Sequence, residues 1–264
     1  MHPILFKLFG FPVGTYGVIL ASGALAALGL ARRLAPRAGL DRDKLTDLLV
    51  YALLASFAGA KVALILGDFR EFADHPVRFL VENLRSYGAF YGGFAGGVSV
   101  ALLYMRRAGI SFWRAADVAA VALPLAQGIG RWGCFFAGCC YGKPTTLPWG
   151  LVFPAVDLCA DGTRIHPWPL YESAADLLLF GVLLWLFARR AFIGQAFLVY
   201  VFGYAAARGI LEFWRGDAVR GLYFGGTVSL SQLAAAGAFA AAAVAWAWRR
   251  RNPAARLSPP ASDG

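Results

Sequence analysis

Charged residues are scarce in this chain, 15% of 264 against 59% hydrophobic, with a mean hydropathy of +0.59. So little polar side chain cannot coat a soluble domain of this size, and a soluble globular fold is excluded. The apolar content equally excludes a disordered chain. Four cysteines are too few for a disulfide-stapled scaffold. Acids are the rarest charged class, 15 against 25 Lys and Arg. The resulting net charge of +10 would suit an anionic polymer, but its distribution along the chain gives it another meaning. No internal repeat is present. The first apolar run lacks both a basic leader and a small-residue cleavage site, so that run is expected to remain as a helix.

What is abundant is long apolar sequence. A membrane-crossing helix takes roughly 20 mainly apolar residues, and about seven such windows occur, at 14–34, 45–67, 88–105, 116–138, 168–188, 193–214 and 229–248. The fold class is therefore all-α and polytopic, with about seven transmembrane helices. The third span is the weakest by composition, because its glycines (YGAFYGGFAGGVS) favour packing against other helices over facing lipid. The fourth and sixth carry charge. Loops 68–87 and 139–167 are long enough for a small extracytoplasmic cap.

Short cytoplasmic loops collect positive charge. Fourteen of the 25 basic residues fall on one side: Arg32, Arg33, Arg37, Arg42, Lys44, Arg106, Arg107, Arg114, Arg189, Arg190, Arg249, Arg250, Arg251 and Arg256. The opposite side holds Lys7, Arg70, Arg78, Arg85, Lys143, Arg164, Arg215 and Arg220, mixed with acids. An odd number of spans with this bias puts the N-terminus outside and the C-terminus in the cytoplasm. One domain is expected over 1–252, followed by a disordered cytoplasmic tail, 253–264, rich in Pro and Ser. Most of the +10 is topology signal, and no nucleic-acid partner is expected.

An ionisable group at the bilayer centre costs at least about 2.5–3.5 kcal/mol on insertion scales, so each one inside a span calls for a reason. Lys61 is either a snorkelling lysine or a functional one. The segment QGIGRWGCFFAGCCYGKP, from Gln127, sets Arg131 among Gly133, Gly138 and Gly142, with Cys134, Cys139 and Cys140 between them. An arginine presents a planar fork suited to a phosphate, and glycines allow close backbone approach. Alternatively the glycines only pack helices and Arg131 pairs with an acid in the bundle. Tyr204, Arg208, Glu212 and Arg215, spaced by four, four and three, fall on one face of a helix. Arg208 with Glu212 is either a self-neutralising pair or part of an anion site, and Arg215 has only Asp217 nearby as a spare acid. His166, Tyr171 and Glu172 surround the start of the fifth span, where Pro167 and Pro169 suit a first helical turn.

These segments together resemble the prolipoprotein diacylglyceryl transferase family. The resemblance runs along nearly the whole chain: Tyr16-Gly17 in the first span, GAKVALIL in the second, FYGGFAG in the third, GRWGCFFAGCCYGK in the fourth, HPWPLYE before the fifth and ARGILEFWRGD in the sixth. The most specific is the family signature G-R-x-G-N-F-x-x-x-E-x-x-G, read here from Gly130 to Gly142. The resemblance implies a multi-pass enzyme of the bacterial inner membrane. It would move the diacylglyceryl group of phosphatidylglycerol to the cysteine thiol of a lipoprotein precursor, without a cofactor. Arg131 and Arg208 would hold the phosphate. Tyr204, Glu212 and Arg215 would complete a polar face, and His166, Tyr171 and Glu172 would shape the pocket. Tyr16, Lys61, Cys134 and Gly142 would contribute to substrate binding, and Tyr91 and Cys139 stand at catalytic positions.

Three positions depart from the family pattern. Tyr91 replaces a His, Cys134 an Asn and Cys139 a Glu. A tyrosine with a reference pKa near 10 is a poor base at pH 7 beside a His near 6.5, so a proton route through that His is not available in the same form. One alternative is a relative using the same lipid pocket for another acceptor, with Cys139 or Cys140 as a nucleophile beside Arg131. Another is a lipid-binding scaffold without activity. Cys134, Cys139, Cys140, Cys159 and His166 could supply a tetrahedral zinc, but C-x4-C-C is not a familiar zinc spacing and adjacent cysteines seldom both bind one ion, so no metal is expected. A disulfide from Cys159 to Cys139 or Cys140 is expected instead.

Overall fold

The computed structural model of the chain describes residues 4–8, 11–83, 90–153, 159–216, 222–223 and 228–252. The predicted tail 253–264, with Arg256, lies outside the described residues, as do Arg85, Asp217 and Arg220. The chain opens on a hairpin, β1 (Ile4–Leu8) with β2 (Phe11–Gly14), and passes into α1 (Thr15–Leu34). Next come α2 (Arg42–Gly67), α3 (Phe69–Asp74), α4 (Pro76–Asn83), α5 (Phe90–Ala108), α6 (Phe112–Ala137), α7 (Trp168–Arg189) and α8 (Gln195–Leu211). A second small pairing, β3 (Leu222–Tyr223) with β4 (Val228–Ser229), leads into α9 (Leu230–Arg251).

A helix stands at each of the seven predicted places. Five are long and apolar enough to cross a membrane: α1, α2, α7, α8 with the turn that comes after it, and α9. The glycine-bearing α5 and the charge-bearing α6 are not in that set. The two hairpins are absent from the all-α expectation, because strands of two to five residues carry too little periodicity to be seen in sequence.

Packing divides the chain into two compact units, one of residues 1–31 with 116–264 and one of residues 32–115. The second unit is built on α2 against α5. Asp41 starts α2 by accepting the backbone N–H groups of Asp43 (3.0 Å) and Lys44 (2.8 Å). The expected glycine packing is present. A Cβ on Gly96 would stand 2.6 Å from the Ala55 carbonyl oxygen, and one on Gly93 3.0 Å from that of Ser56. Only glycines let the two backbones come so close. Gly96→Leu is therefore expected to destabilise the protein by at least about 1–3 kcal/mol, read as a lower melting temperature in detergent. Gly181→Ala, where an added Cβ meets open space, should leave melting unchanged or slightly higher. Equal losses in both variants would contradict the close approach.

In the first unit α7 packs against α6 at Gly128, where Ser173 donates its hydroxyl to the Gly128 carbonyl at 2.7 Å. A Cβ on Gly203 of α8 would come within 2.6 Å of Leu179 on α7. Phe202 of α8 meets Phe239 of α9 edge-on at 4.8 Å between ring centroids. At the start of α8, the buried Asp117 accepts the backbone N–H groups of Gly194 (2.8 Å) and Phe197 (3.0 Å) and lies 3.6 Å from Arg190. Arg249 donates to the Ile193 carbonyl at 2.7 Å. Two arginines of the topology signal are thus also structural, holding the loop between α7 and α8.

Candidate active site

The close approach of α7 to α6 at Gly128 aligns the neighbouring side chains of the two helices. Arg131 is three residues beyond Gly128, Glu172 is next to Ser173, and the two meet: Arg131 Nη2 lies 2.8 Å from Glu172 Oε1. Arg208, from α8, reaches the same carboxylate oxygen at 3.8 Å and Glu212 at 3.4 Å. Arg215 lies 3.9 Å from Glu212. Three guanidiniums are thus strung along two carboxylates, and the ion-paired cluster carries one excess positive charge.

Trp168, fully buried at the first residue of α7, holds the cluster together. The guanidinium carbons of Arg131, Arg208 and Arg215 lie 5.5, 5.0 and 5.0 Å from its ring centroid, all inside cation–π range. Its indole N–H donates to the Leu211 carbonyl at 2.8 Å, which fixes the ring.

The expected single helical face from Tyr204 to Arg215 is only partly present. The α-helix ends at Leu211, Glu212–Trp214 form a tighter 3-10 turn, and Arg215 is extended. Arg215 still reaches Glu212, the acid three residues back. The extended stretch is clamped to the family signature. Lys143 N–H donates to the Trp214 carbonyl (2.8 Å), Gly216 N–H to that of Tyr141 (3.1 Å) and Gly142 N–H to that of His166 (3.0 Å). A Cβ on Gly142 would stand 2.7 Å from the His166 oxygen and 2.9 Å from the Trp214 oxygen, so the position admits only glycine.

His166 and Tyr171 form the other edge. Trp149 donates its indole N–H to the Tyr171 oxygen at 2.8 Å, and the Tyr171 hydroxyl meets His166 Nδ1 at 3.1 Å. With Nδ1 as acceptor, His166 is the neutral end of this chain of hydrogen bonds. Burial pushes its imidazole below the ordinary 6.5. The folded chain then binds fewer protons than the unfolded one. The His166 contribution to stability is intact above about 6.5 and is lost as pH falls from there through the folded value. Melting temperatures measured against pH should fall more steeply below 6.5 in the wild type than in His166→Asn; parallel curves would contradict this.

Tyr16 sits in the first turn of α1 against Gly133, whose added Cβ would lie 3.1 Å from the tyrosine ring. Tyr204 stacks on Tyr200 at 5.7 Å, and Tyr200 donates to Gln127 Oε1 at 3.1 Å. Lys61 on α2 and Tyr91 on α5, the latter 67% exposed, belong to the second unit.

The expected disulfide is not formed: all four cysteines are free. Cys159 is buried with Phe153 and Ile165, covered by Phe135 and Tyr141, which takes its thiol into an apolar cluster. The thiol facing Arg131 is that of Cys134, with Arg131 Nη1 4.0 Å from Cys134 Sγ. Trp168 and Asp176 complete the surroundings; Trp168 lies within the HPWPLYE segment without being singled out there, and Asp176 lies in none of the motifs that carry the resemblance. Asp176 is buried one turn beyond Glu172, within electrostatic reach of Arg131 and Arg208, and its Oδ2 has no hydrogen-bond partner among the described residues. The signal that marks it is a carboxylate inside the fifth apolar window.

Known proteins are similar to this chain along most of its length. The family described as prolipoprotein diacylglyceryl transferase matches residues 3–248. The phosphatidylglycerol–prolipoprotein diacylglyceryl transferase of Clostridium tetani (strain Massachusetts / E88) is 35% identical over 217 residues, covering 82% of this chain and 86% of the relative. The proteins of the same name are 35% identical over 261 residues in Enterococcus faecalis (strain ATCC 700802 / V583), covering 96% and 92%, and 32% identical over 272 residues in Nostoc sp. (strain PCC 7120 / SAG 25.82 / UTEX 2576), covering 99% and 94%. With a family match over residues 3–248 and relatives 35% identical along most of its length, the chain belongs to the prolipoprotein diacylglyceryl transferase family.

Proposed function

We propose that the chain takes the diacylglyceryl group of phosphatidylglycerol and joins it to the cysteine thiol of a lipoprotein precursor. The observation that carries this reading is the uneven exposure of the ion cluster. The side chains of Arg131, Arg208 and Arg215 are 25%, 15% and 17% exposed, while those of Glu172 and Glu212 are 4% and 3% exposed. The carboxylates lie beneath and the accessible face is cationic, as a lipid phosphodiester requires. Arg131 and Arg208 hold that phosphate through forked hydrogen bonds. The acceptor sulfur forms a bond to the glyceryl carbon that bears the phosphate, and the carbon–oxygen bond breaks with its electron pair passing to the phosphate oxygen. Glycerol phosphate departs, and the thiol proton leaves to solvent or another group. Negative charge grows on the phosphate along this path, so the guanidiniums bind the transition state more tightly than the bound lipid.

Tyr204, Glu212 and Arg215 complete the polar face, and His166, Tyr171 and Glu172 shape its edge. Cys134, Cys139 and Gly142 join them on the signature, and Tyr16, Lys61 and Tyr91 enter on the motif match alone. The charge bias places the N-terminus outside, the C-terminus in the cytoplasm and the reaction in the outer half of the membrane. A bacterium depleted of its own diacylglyceryl transferase tests this in cells. Wild-type chain should restore growth and lipoprotein lipidation, and failure by membrane-inserted wild-type protein would sink the reading.

A further inference from the structure

Three thiols remain that lipid transfer does not use together. Cys134 lies in the last turns of α6, and the chain leaves the helix through Gly138 (φ 74°) and Cys140 (φ 57°). Among the described residues Cys140 is the one non-glycine with positive φ, a conformation a side-chain-bearing residue holds only where its surroundings impose it. The turn is tied down by Cys139 N–H donating to the Cys134 carbonyl at 3.1 Å and Gly138 N–H to that of Phe135 at 3.2 Å. Its effect is to fold the chain back so that the sulfurs of Cys134, Cys139 and Cys140 lie within 4.8 Å of one another.

Linear spacing argues against a zinc motif, but the folded turn removes that objection. Three sulfurs around one ion at metal–sulfur distances of about 2.3 Å stand roughly 3.8–4.0 Å apart, a small adjustment from the positions they hold. Thiolates select soft ions, Zn(II) and Cu(I) foremost. Three thiolates around a divalent ion leave one negative charge, and around a monovalent ion two. Arg131, 4.0 Å from Cys134 Sγ, supplies a counter-charge that an isolated tri-thiolate would lack. Cys159, in its own apolar cluster, is outside the group.

We propose that Cys134, Cys139 and Cys140 form a binding site for one soft thiophilic metal ion, Zn(II) or Cu(I), where the chain leaves α6. The site goes beyond lipid transfer, and its test needs no transferase activity. Full-length protein in detergent, reduced with a non-chelating phosphine, is titrated with Zn(II) against a chromophoric chelator and, separately, with Cu(I) against a Cu(I)-selective one. One ion per chain is expected in at least one arm, and the two arms decide which. Cys139→Ser and Cys140→Ser should each weaken binding by at least about 10-fold, and Cys159→Ser should not change it. X-ray absorption of the loaded wild type, which depends on no variant, should show three sulfur neighbours at about 2.3 Å. The proposal is overturned by no stoichiometric binding of either ion, by a shell of nitrogen and oxygen alone, or by Cys159→Ser weakening binding as much as Cys140→Ser.

Discussion

Arg131→Ala is expected to lower kcat/KM for lipid transfer by about 10²–10³-fold, the scale of removing one preorganised donor from a site of growing negative charge. The variant is expected to fold, because Glu172 keeps Arg208 at 3.8 Å and is not left as an isolated buried charge. Arg131→Lys separates charge from geometry. A lysine restores a point charge but not the planar fork, so its activity falls between wild type and alanine. Full activity in Arg131→Ala, measured on protein with wild-type melting, would remove Arg131 from the phosphate site.

Glu172→Ala has the second large effect, and it is on stability. The carboxylate is 4% exposed and lies against two guanidiniums, Arg131 at 2.8 Å and Arg208 at 3.8 Å. Its removal takes away the ion-pair partner of Arg131 and the charge between it and Arg208, which keeps Glu212 at 3.4 Å. Breaking a buried pair from one side costs about 3–5 kcal/mol. The exposed pair Arg32 with Asp43, at 3.1 Å, is the control: its side chains are 44% and 83% exposed, and Asp43→Ala should cost about 0–1 kcal/mol. Thermal unfolding of both variants in detergent checks the contrast, and comparable losses would deny Glu172 its role in holding the arginines together.

How much of the fold and the site is legible in sequence depends on the range of the interaction. The seven long helices arise from apolar runs, and their ends fall near the predicted ones, α2 at Arg42–Gly67 against 45–67 and α7 at Trp168–Arg189 against 168–188. Arg131 and Arg208 are visible because charge inside an apolar run is costly. What they pair with is not visible. Arg131 and Glu172 are 41 residues apart, and only the packing of α7 on Gly128 brings them together. The end of α8 departs from a continuous helical face, because the chain tightens into a 3-10 turn at Glu212 before spacing predicts a break. The cysteines depart in a similar way. The expected place of loop 139–167 on the oxidising side favours a disulfide to Cys159, while backbone turns at Gly138 and Cys140 gather the other three. Asp117 and Asp176 are buried carboxylates inside apolar windows and fall under the same cost as Arg131, which makes them visible in sequence although their surroundings are not.

The partly exposed arginine face is held to bind a lipid phosphate for diacylglyceryl transfer, and everything else about the site depends on that. The direct test incubates purified chain in detergent with phosphatidylglycerol and a peptide bearing a lipoprotein signal cysteine, and identifies both products by mass spectrometry. The expected result is a thioether-linked diacylglyceryl peptide with a matching amount of glycerol phosphate from the wild type, and a loss of both together in Arg131→Ala. Folded wild-type protein that yields no lipidated peptide would contradict it.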